Sequence, residues 1–220
     1  MTLDVQPGEF VCLIGASGCG KSTLLNLVAG LDQPSAGQVT VAGRTALMFQ
    51  ESALFPWLTV ARNVELALKL QGTSKSDRKD RVADLLHVVH LDGFADKRPH
   101  ELSGGMRQRV ALARAFAQDA DIVLMDEPFG ALDAMTRDLL HDELERLWEE
   151  RRFSALFVTH NVREAARLAD RVVLLSSRPG RVAGTFLPDL PRPRRMEDPA
   201  LTHLAGEITA SLRQEVARHA

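Results

Sequence analysis

The chain has 220 residues, 45% of them hydrophobic and 25% charged, a composition that fits an ordinary globular protein and excludes a disordered or fibrous one. A chain of this length buries roughly 70% of its unfolded surface, so it needs no disulfide or metal staples. Twenty-seven Lys and Arg against 29 Asp and Glu leave a net charge of -2, which supplies no broad attraction for nucleic acid or anionic lipid.

Met1, Thr2, Leu3 and Asp4 form no basic stretch leading into an apolar one, so no signal peptide is read. No apolar run approaches the ~20 residues of a membrane span, and the expectation is a soluble, cytoplasmic chain. The two cysteines, Cys12 and Cys19, are too few for a secreted disulfide scaffold and lack zinc-type spacing. Residues 10–14 are continuously apolar, as a strand buried on both faces would be. Gly15-Ala16-Ser17-Gly18-Cys19-Gly20-Lys21-Ser22, followed by Thr23, then matches the phosphate-loop pattern G-x-x-x-x-G-K-[ST]. Such a loop curls its backbone N–H groups onto phosphate oxygens, and a helix predicted at about 21–29 adds its positive end. Lys21 can reach the β and γ phosphates, Ser22 can ligate magnesium, and Cys19 reads as a reduced spacer whose backbone N–H matters.

Val39-Thr40-Val41 alternates like a strand with one wetter face, and a short run at 46–49 ends at Gln50, which could approach the same magnesium. From about 55 to 117 the pattern is helical with no good strand, so a helical lobe is expected to interrupt the α/β core. Helices are predicted at 60–70, 78–90 and 105–117, with Val82, Leu85, Leu86 and Val89 on one face of the second. His87 and His90 lie one helical turn apart with no third ligand evident, so no metal site is read there. Leu102-Ser103-Gly104-Gly105-Met106 opens the third helix and makes a second anion-type helix start, or a plain N-cap with a hinge. Two such starts leave two arrangements open. One nucleotide could bridge both within a chain, or the second could grip a nucleotide held by another copy.

Asp126 and Glu127 end the apolar run 122–125, and Pro128 stops it. Neighbouring strand side chains point opposite ways, so Asp126 suits a metal shell and Glu127 suits polarising a water. After a helix at 135–151 and a strand at 155–158, His160 stands at the strand end where parallel-sheet ligands bind, as a phosphate contact or a solvated cap. A helix at 162–169 and a strand at 172–175 follow. Pro179, Pro188, Pro191 and Pro193 then break the chain before an amphipathic helix at 200–218. Arg192, Arg194 and Arg195 in that broken stretch read as a solvated linker.

These motifs together resemble the ATP-binding subunit of ATP-binding cassette (ABC) transporters, over about residues 5–195 in consistent order. The resemblance rests on GASGCGKST at 15–23, Gln50 in MFQ, LSGGM at 102–106, LMDEP at 124–128 with ALD at 131–133, and His160 in VTH. It implies an α/β fold: a P-loop NTPase core of parallel sheet flanked by helices, with an inserted all-helical lobe. The expected cassette spans 1–195, its core at about 1–54 and 118–190 and its lobe at about 55–117, followed by a C-terminal helical segment at 196–220. It implies ATP and Mg²⁺ as cofactors, with ATP sandwiched between the phosphate loop of one copy and Ser103, Gly104 and Gly105 of the other. Mg²⁺ would sit at Ser22, Gln50 and Asp126. Glu127 would be the catalytic base, with Lys21 and His160 on the phosphates and Asp133 at the dimer seam.

LFPWLTVARNV at 54–64, FGALDAMTRDLLHDELERLW at 129–148, SSRPGRV at 176–182 and LPRPRR at 190–195 are similar to importers of the nitrate, sulfonate and taurine group. That group implies two transmembrane permease subunits, a solute-binding protein acting indirectly, and a peripheral location on the cytoplasmic face of the membrane. The permeases' coupling helix would enter a groove near Gln50, Phe55, Pro56 and Trp57. The competing readings are a soluble ABC ATPase without a membrane partner, and a cassette shortened at its amino terminus with impaired nucleotide binding. Met106 stands where the family has Gln, and Asn161 where it has Asp. Only fourteen residues precede Gly15, against an extra antiparallel strand with an adenine-stacking aromatic in relatives; the chain has no tyrosine and no aromatic before Phe10. Shortened antiparallel strands predict an open edge near Val39 and Val41, a tendency to aggregate, and weak preference for ATP over GTP.

Overall fold

The computed structural model describes residues 1–177 and 180–218. Its centre is a six-stranded sheet in the order β2-β3-β4-β1-β5-β6. The strands are β1 (Phe10–Gly15), β2 (Thr45–Met48), β3 (Ile122–Asp126), β4 (Ser154–Val158), β5 (Arg171–Leu175) and β6 (Val182–Phe186). β1 to β5 run parallel, and β6 returns antiparallel to β5. The apolar runs become central strands because both sheet faces are covered. Phe10, Cys12 and Ile14 enter one apolar layer, while Val11 and Leu13 enter the other with Leu25. This is the two-residue alternation of a pleated strand.

The helices are α1 (Lys21–Val28), α2 (Val60–Gln71), α3 (Lys75–Val88), α4 (Gly104–Phe116), α5 (Ala134–Arg151), α6 (Val162–Leu168) and α7 (Pro199–Ala217). α2 is capped by the Thr59 side chain and closed by Gly72. α3 starts three residues earlier than its apolar periodicity predicts because the Ser74 hydroxyl accepts from Asp77 N and caps a wholly polar first turn. Val82, Leu85, Leu86 and Val89 are buried as the helical spacing requires. Among the described residues the stretch 55–117 carries helices and no strand, as expected. Its apolar side chains nevertheless belong to the same continuous core as the sheet, which joins Val64 and Leu68 to Phe10 and Phe157.

Three expectations need correction. Residues 38–44 form no strand, and Val39 is exposed; the free sheet edge on that side is β2. An alternating triplet becomes a strand only when a neighbour takes its N–H and C=O groups, and none does among the described residues. β6 falls in a stretch the sequence reading left as proline-broken. Arg192 and Arg194 are not a solvated linker, whereas Arg195 is exposed. Arg194, 5% exposed, donates to the carbonyls of Leu190, Ala166, Arg167, Ala169 and Pro188. Arg192 pairs with Glu145 and Asp170, and its guanidinium lies 4.5 Å from the Trp148 ring centroid. The pair fastens the proline-broken strap onto α5 and α6. Arg178 and Pro179 of the SSRPGRV stretch, and the last two residues, lie outside the described residues.

Candidate nucleotide site

Strand register brings the predicted residues to one end of the sheet. Leu13 and Asp126 both align with Val158, and Gly15 aligns with Leu175, so β1, β3, β4 and β5 finish together. The 15–22 loop follows β1, Glu127 follows β3, His160 lies two residues beyond β4, and Gln50 two beyond β2. Ligands of open α/β sheets bind at this carboxyl end.

The loop enters α1 at Gly20, with Ser17 and Gly18 exposed and Cys19 buried. The Lys21 ammonium folds back and donates to the carbonyls of Gly15 at 2.9 Å and Ala16 at 3.0 Å, with Cys19 Sγ at 3.7 Å. These contacts hold the cation over the loop that would cradle phosphate. Ser22 and Thr23 lie in the first turn of α1, and the Ser22 side chain is near enough to the Asp126 carboxyl to favour its charged form. Burial pushes the Asp126 carboxyl up, and the Glu127 charge adds to this; the neighbouring Ser22 hydroxyl and Lys21 charge pull it down. The net shift is upward, so Asp126 is a desolvated carboxylate lacking a full counter-charge.

Glu127 is the meeting point. Its Oε2 lies 3.2 Å from His160 Nδ1 and accepts from Gln50 Nε2 at 3.4 Å. The sequence separates these three residues widely, and the sheet order unites them. Glu127 has φ 48°, an uncommon left-handed conformation for a side-chain-bearing residue, and its N–H donates to Val158 O at 2.9 Å. Behind it, Thr159 Oγ1 donates to Glu164 Oε2 at 2.6 Å and accepts from Asn161 N at 3.0 Å. Glu164 also lies 3.6 Å from buried His141 and 3.5 Å from Arg137. Asn161 Oδ1 accepts from Arg163 N at 3.0 Å, so asparagine caps α6 as aspartate would.

The second anion-type start opens α4. Ser103 is exposed, and its hydroxyl accepts from Met106 N at 3.2 Å, so it serves as the N-cap of α4 with Gly104 exposed beside it. Met106 packs partly buried against the core. Asp133 caps α5 by accepting from Thr136 N at 3.0 Å and Thr136 Oγ1 at 2.7 Å, which hold its carboxyl below the usual range.

Sequence reasoning missed Gln108, Arg137, His141 and Glu164. Gln108 carried a signal: helical spacing puts it on the buried face with Ala111, Leu112 and Ala115, where an amide needs partners.

The ABC transporter family model matches residues 1–130. An ABC transporter ATP-binding protein of Methanocaldococcus jannaschii is 44% identical over 224 residues, covering 98% of this chain and 84% of that one. The nitrate import ATP-binding protein NrtD of Synechocystis is 48% identical over 199 residues, 87% of this chain and 75% of that protein. The bicarbonate transport ATP-binding protein CmpC of Synechocystis is 46% identical over 98% of this chain, which spans only 34% of that longer protein. The dimeric structure of MJ0796, a bacterial ABC transporter cassette, superposes with a TM-score of 0.80 at 34% identity, covering 86% of this chain and 89% of that one. A post-hydrolysis dimer of the same cassette bound to ADP and Pi gives 0.79 at 33% identity, with the same coverage. Motif order, fold and likeness agree that the chain belongs to the ABC transporter family, as one of its ATP-binding ATPase cassettes.

Proposed function

We propose that this cassette hydrolyses ATP, as a pair of copies, to drive import of a small anion or organic solute of the nitrate, sulfonate or taurine kind. The observation that carries the catalytic part is the convergence of His160 and Gln50 on the Glu127 carboxylate beside the phosphate loop. The solute class rests on relatives named for nitrate import and bicarbonate transport.

In this reading the N–H groups of Gly18, Cys19, Gly20 and Lys21 receive the phosphates, and Lys21 leaves the Gly15 and Ala16 carbonyls to pair with them. Gly15 and Ser17 shape the loop, and Thr23 stands at the helix start. Glu127 accepts a proton from the attacking water, whose oxygen bonds to the γ-phosphorus as the bond to ADP breaks. His160 holds the γ-phosphate and steadies Glu127. The Ser22 hydroxyl, Gln50 amide and Asp126 carboxylate offer oxygen donors of the hard type that Mg²⁺ prefers, and desolvated Asp126 gains a counter-charge from it. No cluster of three His, Cys, Asp or Glu side chains able to hold a metal occurs among the described residues, so the ion would share nucleotide oxygens. When bound, Mg²⁺ neutralises charge developing on the phosphates.

Exposed Ser103 and Gly104, with half-buried Gly105 beside them, would close on the nucleotide of the second copy, with Asp133 at the seam. The division into a core at about 1–54 and 118–190, a lobe at about 55–117 and a C-terminal segment at 196–220 belongs to the same reading. Phe55 and Trp57 are exposed, with ring centroids 5.5 Å apart, and offer an apolar ledge near Gln50 to a permease coupling helix. Two permease subunits, with a solute-binding protein acting indirectly, would then place the chain peripherally on the cytoplasmic face. No helix among the described residues is long and apolar enough to cross a membrane. The test is Glu127→Gln: ATP turnover is expected to vanish while ATP binding persists and an ATP-bound dimer accumulates on size-exclusion chromatography. Near-normal turnover removes Glu127 from the role of base.

A further inference from the structure

Gln108 is 5% exposed and lies on α4, the helix whose start carries Ser103. Each end of its amide is bonded. Nε2 donates to Glu127 O at 2.7 Å, and Oε1 accepts from Ala131 N at 2.9 Å. Both ends of the turn that follows β3 are therefore pinned to one side chain. Glu127 O also accepts from Gly130 N at 3.1 Å, so both lone pairs of this carbonyl are occupied. That double acceptance fixes the peptide orientation on the C-terminal side of Glu127, whose left-handed φ aims its side chain toward His160 and Gln50. Three residues before Gln108 along the same helix, a Cβ added to Gly105 would meet Leu132 Cδ2 at 3.0 Å and Ala131 O at 3.1 Å. The helix start and the 131–133 segment thus touch without slack.

We propose that Gln108 is a positioning residue for ATP hydrolysis: it locks the backbone of Glu127 to the Ser103 helix, so that closure of that helix on the second copy's nucleotide is felt at this chain's own Glu127. The proposal rests on the reading of Glu127 as the base. A buried amide with two partners can move only if both bonds break, so α4 and the turn shift as one body. Glu127 is then held in its left-handed conformation throughout closure, and the two composite sites of a dimer gain a mechanical link through each chain.

Gln108→Glu tests this selectively. It is isosteric and can still accept from Ala131 N, but it turns a carboxylate oxygen toward Glu127 O where a donor stood. The expected result in the purified chain is a fall in kcat of about tenfold or more, close to 1.4 kcal/mol. KM and affinity for a non-hydrolysable ATP analogue should stay within about twofold, because the phosphate loop is untouched. If Gln108→Glu does not fold, Gln108→Ala removes both bonds without adding charge, and the same split of kcat from KM is expected. Glu127→Gln runs beside them. A dead Glu127→Gln with wild-type kcat in a folded Gln108 variant overturns the proposal and leaves the base in place. Turnover surviving in Glu127→Gln overturns both. Equal losses of kcat, analogue affinity and melting temperature would make Gln108 merely structural and also overturn it.

Discussion

Removing the Arg194 guanidinium should destabilise the whole cassette although the residue touches no nucleotide. Its three nitrogens donate to five carbonyls, at 2.6 to 3.1 Å. Three of these acceptors, Ala166, Arg167 and Ala169, belong to the C-terminal turn of α6, whose carbonyls have no partner further along the helix. Pro188 and Leu190 belong to the strap. A buried carbonyl left without a donor costs about 1–3 kcal/mol. Water entering at the strap should recover some of these, so about 3–5 kcal/mol is expected for Arg194→Ala, comparable to breaking a buried ionic network. For a chain of this size that corresponds to a fall in melting temperature of roughly 6–20 °C. Differential scanning fluorimetry would measure it, with Arg195→Ala as the exposed neighbour control. The control should stay within about 0.5 kcal/mol of the parent. Arg194→Lys should recover little, since one ammonium offers three donors in place of a planar fork. If Arg194→Ala melts within about 2 °C of the parent, a shift that corresponds to less than about 1 kcal/mol, the strap is not fastened as described.

A methyl at Gly180 would overlap the Cys19 carbonyl oxygen. Gly180→Ala should therefore displace the phosphate loop at a cost of about 1–3 kcal/mol, weakening ATP-analogue binding roughly 5- to 150-fold with the motif itself intact. Unchanged affinity by titration calorimetry would show that the loop gives way freely. Burial pushes the Glu164 carboxyl up, but the nearby His141 ring, the hydrogen bond from Thr159 and the Arg137 charge outweigh it and leave the group below the usual range. A lowered carboxyl stabilises the fold fully above its unfolded value of about 4.3 and loses that contribution as pH falls through the folded value. Glu164→Gln should thus melt lower than the parent at pH 7, with the gap narrowing below about pH 4; a gap independent of pH would contradict this. Mixing Ser103→Arg chains with Lys21→Ala chains should restore single-site hydrolysis above either alone, because one composite site in the heterodimer stays intact. Heterodimers with no recovery would point to a site complete within one chain.

The phosphate loop, the strands 10–14, 122–125, 155–158 and 172–175, and most helix limits were legible in the sequence because their causes are local. A glycine-rich turn between an apolar run and a helix start, or the Ser103 cap, is specified by residues a few positions apart. The identity of the acid pair Asp126 and Glu127 was legible for the same reason. What Glu127 faces was not. Gln50 reaches it across 77 residues and His160 across 33, and only the strand order places both within 3.4 Å. Polar residues gave the least reliable reading. Arg192, Arg194 and Arg195 are alike in sequence, yet Arg194 is buried and Arg192 half-buried, both with partners, while the third is exposed, because the carbonyls that receive Arg194 come from a helix some 25 residues away. Helical spacing places Gln108 on a buried face, but its partners are decided only when α4 meets the turn after β3. Val39-Thr40-Val41 shows the reverse failure: the alternation was present, but a strand needs a neighbour for its backbone hydrogen bonds, and tertiary structure alone decides whether there is one.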